Sequence, residues 1–228
     1  MNNSMERKNF EKYARSRGIS STTLGGYVQS RGWLNPNIME SNDVDAVPMD
    51  VFTRLQMDNI IFLGSEIDDD VANIINAQLL YISSNCNEDE TIKLYLNTPG
   101  GMCHAGLSIY DTMNIIPQDV STICIGMAAS MGSVLLVGGA EGKRMILPHS
   151  KVLIHQPLGG AEGQASDILI AAKEIEKTRA ELIRIISERS GQPYEKVFAD
   201  ADRDFWMNAQ EAVEYGIVDE ILSFNKNK

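Results

Sequence analysis

The chain has 228 residues, of which 43% are hydrophobic and 22% charged, a balance that fits one folded domain with a sizeable core. The formal net charge of -11 argues against nucleic acid or an anionic membrane as the main partner, because either would favour a basic surface. No window reaches the ~18 apolar residues of a membrane span. The three cysteines form no CxxC pair, so the composition predicts a cytoplasmic protein without disulfides or a zinc site.

The first 50 residues differ in character from the rest. Residues 1–33 are basic and polar and have no sustained hydrophobic period, so we expect a flexible or removable leader. The alternative is an ordered arm on a neighbouring subunit. Residues 34–50 contain two prolines and scattered apolar side chains, which indicates a loop. Apolar residues on such a segment would serve a partner or pack back on the body.

From residue 59 onward, short apolar runs alternate with helical patterns. The predicted strands are residues 59–63, 92–96, 121–125, 144–147, 151–154 and 217–222. The predicted helices lie after the acidic residues 68–70, over about 105–116, after Ser130, over about 166–189, after Pro193, and from Asn208 to Tyr215. Strands that alternate with helices predict a parallel, crossover-connected α/β fold.

Two of these helices carry a clear apolar period. The helix that follows the acids 68–70 places Val71, Ile74, Ile75, Leu79 and Ile82 at helical spacing. The helix over 166–189 has about 24 residues and a length of roughly 36 Å, more than a compact domain of this size needs for its own core. Its apolar seam is formed by Ile168, Ala172, Ile175, Leu182, Ile183 and Ile186. A long helix with an exposed seam usually docks on something, and we expect another subunit.

The segment GMAASMG, residues 126–132, provides the candidate nucleophile. Small neighbours on both sides of Ser130 let other backbone come close, and a strand-to-helix turn there would expose the hydroxyl. The alternative interpretation is a small residue at a packed helix start. As a nucleophile, Ser130 also needs a base and donors for an oxyanion. The Met131 N–H at the helix start and an N–H from the paired glycines of NTPGG, residues 97–101, are candidates for the donors.

The base must be one of three histidines. We favour His155, because VLIHQP places it at the end of a buried strand, where reactive groups gather in parallel α/β folds. His104 lies at a helix start and His149 in a tight connection. The carboxylate that would orient the imidazole is Asp202 or Asp204 in ADRDFW, and spacing alone does not choose between them.

Four motifs together resemble the Clp serine peptidase family, the proteolytic subunits (ClpP) of the ATP-dependent Clp protease. They are GMAASMG, IHQPLGG, NTPGG followed by AGLSIYDTM, and DRDFWMNAQEAVEYGIVD, and the resemblance covers about Leu34 to Leu222. It implies an α/β fold of the ClpP/crotonase type, a spiral of repeated β-β-α and βαβ units with a protruding handle helix. It also implies a serine endopeptidase of the endopeptidase Clp type, active in protein quality control.

The resemblance assigns roles to individual residues. Ser130 would be the nucleophile, His155 the general base and Asp204 the orienting carboxylate. Gly101 and Met131 would supply the oxyanion N–H groups. An ion-pair contact between rings would involve the two residues before the carboxylate, Asp202 and Arg203.

The resemblance further implies an assembly. Two stacked heptamers would form a tetradecamer that encloses the sites and cleaves unfolded polypeptides to short peptides. Residues 34–50 would form axial loops, residues 51–228 one peptidase domain, and residues 159–190 the handle. A hexameric AAA+ unfoldase would supply substrates and use ATP, and this chain would need no cofactor or metal. The long leader and the acidic residues Asp43 and Asp45 in the axial segment depart from the family pattern.

Two other functions fit parts of the pattern. A catalytically silent structural subunit of a Clp ring would fill ring positions without cutting. A crotonase-like acyl-CoA enzyme would share the oxyanion geometry but have no use for a serine and histidine pair. Hydrolysis of a short fluorogenic peptide by the purified chain separates the peptidase from both.

Overall fold

The computed structural model describes residues 37–42 and 45–223, with side chains from residue 50 onward. The predicted leader, residues 1–33, lies outside these ranges. The chain divides into two compact units between Leu55 and Gln56. In the part of the chain that the structure describes, no helix is long and apolar enough to cross a membrane.

The first unit contains a hairpin where the sequence indicates a loop. Strands β1 (Asn37–Asn42) and β2 (Asp45–Asp50) pair antiparallel, and the helix α1 (Val51–Met57) follows. Each strand of a two-stranded sheet has an unpaired edge, so Pro48, which lacks an N–H, can be accommodated within β2. The axial location of this segment remains a prediction.

The second unit contains the long sheet and its helices. Its strands are β3 (Ile60–Leu63), β4 (Ile92–Thr98), β5 (Val120–Ala129), β6 (Arg144–Ile146), β7 (Lys151–Ile154), β8 (Phe205–Asn208) and β9 (Glu220–Ile221). Its helices are α2 (Asp69–Asn85), α3 (Cys103–Ile115), α4 (Met131–Val137), α5 (Ala165–Ser190), α6 (Tyr194–Asp200) and α7 (Ala209–Tyr215).

The sheet is parallel along its main path, in the order β3-β4-β5-β6-β9. Strand β5 pairs with two neighbours in turn, with β6 over Thr122–Cys124 and with β7 over Met127–Ala129. Gly126 lies between these two stretches with φ +80, a conformation that glycine adopts without strain. Strand β8 then adds antiparallel to β7. The predicted parallel α/β fold is confirmed.

Helix α2 follows the predicted period with one exception. Asp68 caps it by accepting a hydrogen bond from the Val71 N–H at 2.8 Å. The buried face is formed by Ala72, Ile75, Leu79 and Ile82. Ile74, which we expected on that face, is 58% exposed. It precedes Ile75 by one residue, which turns it about 100° around the helix axis, away from the sheet.

Helix α5 has 26 residues and packs on the core through its C-terminal half alone. Leu182, Ile183 and Ile186 of the predicted seam are buried there, together with Ile185. Ile168, from the N-terminal half of the seam, is 41% exposed. The helix therefore protrudes from the core, as the predicted handle requires.

A mostly buried ion pair joins the residue just before strand β9 to the first residue of strand β6. The Arg144 guanidinium lies 2.5 Å from the Asp219 carboxylate and also donates to the carbonyl oxygens of Arg189 and Gly216. Burial by itself would raise the pKa of Asp219, but the hydrogen bonds and charge of Arg144 hold that pKa below its usual value. The Arg144 side chain is 9% exposed and the Asp219 side chain 20%, so each charge has an oppositely charged partner in a mostly desolvated site.

This pair predicts an acid-sensitive contribution to stability. A carboxylate whose folded pKa is depressed contributes stability above its unfolded pKa, and this contribution is lost as the pH falls through the folded value. We expect Asp219→Asn to lower the free energy of unfolding by about 1.5–3 kcal/mol at neutral pH, because the buried Arg144 guanidinium loses its charged partner and keeps only two carbonyl acceptors. Denaturant unfolding at several pH values checks this, and an equal slope of stability against pH below 5 in wild type and Asp219→Asn would contradict it.

Candidate active site

Strand register brings the candidate triad together. Ala129, the last residue of β5, pairs with Leu153 of β7, and the Ser130 N–H donates to the Leu153 carbonyl oxygen at 2.9 Å. Ile154, the last residue of β7, pairs with Phe205, the first residue of β8. The residue after β7 and the residue before β8 are His155 and Asp204. In an antiparallel pair such residues stand opposite each other.

His155 and Asp204 are in direct contact. The imidazole Nδ1 lies 3.1 Å from the carboxylate Oδ1, and the His155 side chain is 17% exposed. Because a carboxylate accepts hydrogen bonds, this contact places the proton of a neutral imidazole on Nδ1 and leaves the Nε2 lone pair available. The other carboxylate that the sequence offered, Asp202, instead lies 3.3 Å from the guanidinium of Arg179 on α5. Of the two carboxylates, Asp204 is the one in contact with the imidazole.

Ser130 occupies a strained turn at the start of α4. Its φ of 54° lies in the left-handed region, which among the described non-glycine residues is shared only with Asn59. The Ser130 carbonyl oxygen accepts from the Ser133 N–H at 3.0 Å and from the Ser133 hydroxyl at 2.6 Å. Strain of this kind, supported by surrounding bonds, is typical of the turn that exposes a nucleophilic serine.

Ser130 and His155 line one cavity. Its walls are mostly apolar and come from α4 and the buried half of α5, with Met131, Val134, Leu182, Ile183 and Ile186. Neither His104 nor His149 lines it. His104 instead lies 2.9 Å from Asp69 at the N-terminal ends of α3 and α2. The serine and the histidine therefore face the same small, mostly apolar cavity.

The glycine turn of NTPGG packs directly on the serine. A Cβ added to Gly100 would lie 2.6 Å from Ser130 Cβ and 2.9 Å from the Met131 nitrogen. The Gly100 carbonyl accepts from the Ile67 N–H at 2.8 Å, and the Met102 N–H donates back to Ile67. The N–H groups of Gly101 and Met131 donate to no acceptor within the described residues. Both are therefore available for an oxyanion beside Ser130.

Asp202 and Arg203 precede Asp204 in an exposed loop. The Asp202 carbonyl oxygen accepts from the Gln156 side chain at 2.7 Å, and the Asp202 carboxylate lies 3.3 Å from the Arg179 guanidinium. These contacts tie the loop to the residue after His155 and to α5. Arg203 is exposed. The contact between rings stays a prediction for both residues.

Sequence reasoning missed three polar residues near the serine. Cys103 lines the cavity, but burial raises the pKa of its thiol, which keeps it protonated and a poor nucleophile. The Ser133 hydroxyl holds the serine turn, as described above. Thr98 bonds the glycine turn. The sequence T-P-G-G contained the signal for Thr98, because threonine hydroxyls often bond the backbone two residues on.

Metal binding has no candidate cluster in the region that the structure covers. No group of three or more His, Cys, Asp and Glu side chains there could hold a metal ion.

A serine on a strained turn, a histidine opposite a carboxylate and two unpaired N–H groups are the parts of a serine hydrolase. The family model of the Clp protease matches residues 43–225. ATP-dependent Clp protease proteolytic subunits of Bacteroides fragilis (strain YCH46) and Porphyromonas gingivalis (strain W83) are 56% and 54% identical to the chain. These alignments cover 93% and 95% of the chain and 97% and 98% of the relatives. Proteolytic subunit 1 of Gloeobacter violaceus is 55% identical over 76% of the chain and 88% of that relative.

The chain belongs to the Clp protease family and is a serine-type endopeptidase. The resemblance drawn from the four motifs is confirmed. Neither the silent ring subunit nor the crotonase-like acyl-CoA enzyme receives support from these relatives.

Proposed function

We propose that Ser130, His155 and Asp204 are the catalytic triad of this endopeptidase and that it cleaves unfolded polypeptides to short peptides. The observation that carries the proposal is the 3.1 Å contact of His155 with Asp204 beside the cavity that Ser130 lines. His155 and Asp204 are 49 positions apart in the sequence, so the fold and not chain proximity brings them into contact.

The reaction has two steps. His155 Nε2 accepts the Ser130 proton as the serine oxygen attacks the peptide carbonyl, and it then gives that proton to the leaving amine. A water molecule, activated by the same nitrogen, hydrolyses the acyl-enzyme. Asp204 stabilises the imidazolium that forms in each step and keeps the ring in its productive orientation.

The oxyanion of each tetrahedral intermediate is held by the N–H groups of Gly101 and Met131. The support for this assignment is that neither group has an acceptor in the described chain and that the glycine turn touches Ser130 Cβ. The Met131 N–H also lies at the positive end of the α4 backbone, which favours a negative charge there.

The proposed assembly is two stacked heptamers that enclose the sites in a chamber. The exposed half of α5, within the handle 159–190, supports a docking role, because Leu169 and Ile170 are 63% and 61% exposed. Asp202 and Arg203, exposed at the loop beside the triad, form the contact between rings. Residues 34–50 form axial loops, and the leader of about 33 residues is removable.

The partner is a hexameric AAA+ Clp unfoldase that uses ATP to feed unfolded chains into the chamber. The support is that the relatives are named proteolytic subunits of an ATP-dependent Clp protease, whereas this sequence has no P-loop motif of its own. The peptidase itself uses no cofactor, and it works in the cytoplasm.

The test measures assembly and activity on one preparation. We expect a native mass near fourteen times the 25.2 kDa of one chain, less any leader that is removed, and slow hydrolysis of a short fluorogenic peptide without ATP. Degradation of an unfolded protein is expected to require the unfoldase and ATP. A particle of seven or fewer chains that cleaves peptides would contradict the proposed assembly alone. A particle of fourteen chains without peptidase activity would contradict the proposed triad.

A further inference from the structure

We propose that Thr98 is a positioning residue for peptide cleavage, because it holds the two oxyanion donors, the N–H groups of Gly101 and Met131, in register. The inference rests on the proposed oxyanion site. Thr98 is the last residue of β4, is 0% exposed, and pairs with Ala128 of β5, two residues before Ser130. It therefore lies between the glycine turn and the start of α4.

The Thr98 hydroxyl uses its hydrogen and a lone pair within the turn. It donates to the Ser65 carbonyl oxygen at 2.6 Å and accepts from the Gly100 N–H at 3.1 Å. The first bond ties β4 to the segment that leads to Ile67, and the second begins the glycine turn. Gly100 is buried, so its N–H finds no replacement acceptor if the Thr98 hydroxyl is removed.

The orientation of the Gly101 N–H follows from the next peptide. The Gly100 carbonyl points at the Ile67 N–H, 2.8 Å away. A trans peptide is planar with its N–H opposite its carbonyl, so the Gly101 N–H points away from Ile67. Gly100 and Gly101 have φ values of +93° and +152°, where glycine has alternatives of similar energy. The turn therefore needs contacts such as those of Thr98 to stay in one conformation.

The Thr98 methyl group contacts the helix that carries the second donor. A Cβ added to Gly132 would lie 2.7 Å from Thr98 Cγ2, so the methyl packs against α4 one residue beyond Met131. The Thr98 side chain thus contacts the neighbours of both proposed donors. Its hydroxyl bonds Gly100, which precedes Gly101, and its methyl packs on Gly132, which follows Met131. The spacing of the two N–H groups depends on both contacts.

The experiment compares Thr98→Val with Thr122→Val in the assembled particle. Thr98→Val keeps the shape and removes the hydroxyl. Thr122 is a matched control, because it is also 0% exposed and its hydroxyl donates to a backbone carbonyl oxygen, that of Leu136, at 2.7 Å. Both variants lose a buried hydrogen bond, but only one loses a bond to the glycine turn.

We expect Thr98→Val to lower kcat about 10- to 100-fold with KM changed less than about threefold, because a misaligned donor weakens binding of the oxyanion but not of the substrate. The affinity for a peptide boronate, whose serine adduct is a tetrahedral anion that mimics the reaction intermediate, is expected to fall by a similar factor. Thr122→Val should keep kcat within about threefold. Equal losses of kcat in the two valine variants, or a higher KM with unchanged kcat, would overturn the proposal.

A second pair keeps the test decisive if Thr98→Val does not assemble. Thr98→Ser retains the hydroxyl and Thr98→Ala does not, and we expect the serine variant to exceed the alanine variant at least about tenfold in kcat. Equal kcat values would reject the role of the hydroxyl. Labelling of Ser130 by a fluorophosphonate distinguishes failure of the proposed triad from failure of the role of Thr98. If wild type is not labelled, the triad is rejected. If Ser130 is labelled and kcat is unchanged in Thr98→Val or Thr98→Ala, the role of Thr98 alone is rejected.

Discussion

Ser130→Ala is expected to lower the kcat for peptide hydrolysis by about 10⁴-fold or more and to abolish labelling by an active-site serine probe. The alanine lacks the oxygen that forms the acyl-enzyme, and the remaining base and N–H donors provide only residual catalysis. The fold should be unaffected, since the lost side chain is small and its backbone bonds to Leu153 and Ser133 remain. Mass spectrometry of the probe-labelled chain and initial rates with a fluorogenic peptide measure both effects.

The matched control for this prediction is Ser121→Ala. Ser121 lies within β5, the strand that Ser130 follows, but its hydroxyl donates to the Lys143 carbonyl oxygen at 2.8 Å and Ser121 does not line the cavity. We expect this variant to keep full labelling and nearly full activity. A probe adduct on Ser121 or Ser133, or cleavage that persists in Ser130→Ala, would refute Ser130 as the nucleophile.

Asp204→Asn is expected to lower kcat by about 10³- to 10⁴-fold with a small change in KM. An amide can donate to Nδ1, which favours the imidazole tautomer that carries its proton on Nε2. His155 then has no lone pair directed at Ser130 and cannot accept its proton. Circular dichroism and native mass should be unchanged, because the Asp204 side chain is 64% exposed and removing its charge leaves no buried partner.

Asp202→Asn provides the comparison for this variant. It is the same chemical change two residues earlier, where the carboxylate meets Arg179 and not His155. We expect a loss of less than about tenfold per assembled particle, since the Asp202 carboxylate is exposed and the bond to Arg179 does not involve the triad. If Asp202→Asn is slower than Asp204→Asn at equal assembly, the orienting carboxylate has been assigned to the wrong residue.

Much of the fold could be predicted from local patterns. The alternation of Ile92, Leu94 and Leu96 matches the buried positions of β4, and the acids before α2 lie at its N-terminal end. Gly216 ends α7 in the left-handed conformation, after the Asn208 cap that the sequence suggested. These features depend on side-chain period and on capping chemistry, which act over a few residues.

Other features differed because tertiary contacts decided them. The hairpin over 37–50 was missed, since pairing between two short strands leaves little periodic signal in either. Helix α5 buries only its C-terminal half, because the core beneath it ends before the helix does. A seam in the sequence shows which face of a helix is apolar, but it does not show how far the supporting core extends.

The same division holds for the active site. Residue order was enough to propose Ser130 and His155, because each follows an apolar strand and reactive groups collect at such ends. It did not reveal that Asp204, and not Asp202, meets the histidine. That contact arises from the register of β7 against β8, which brings together two residues 49 positions apart. Register depends on how whole strands pack, and a shift of one residue would turn each of these side chains to the opposite face of the sheet.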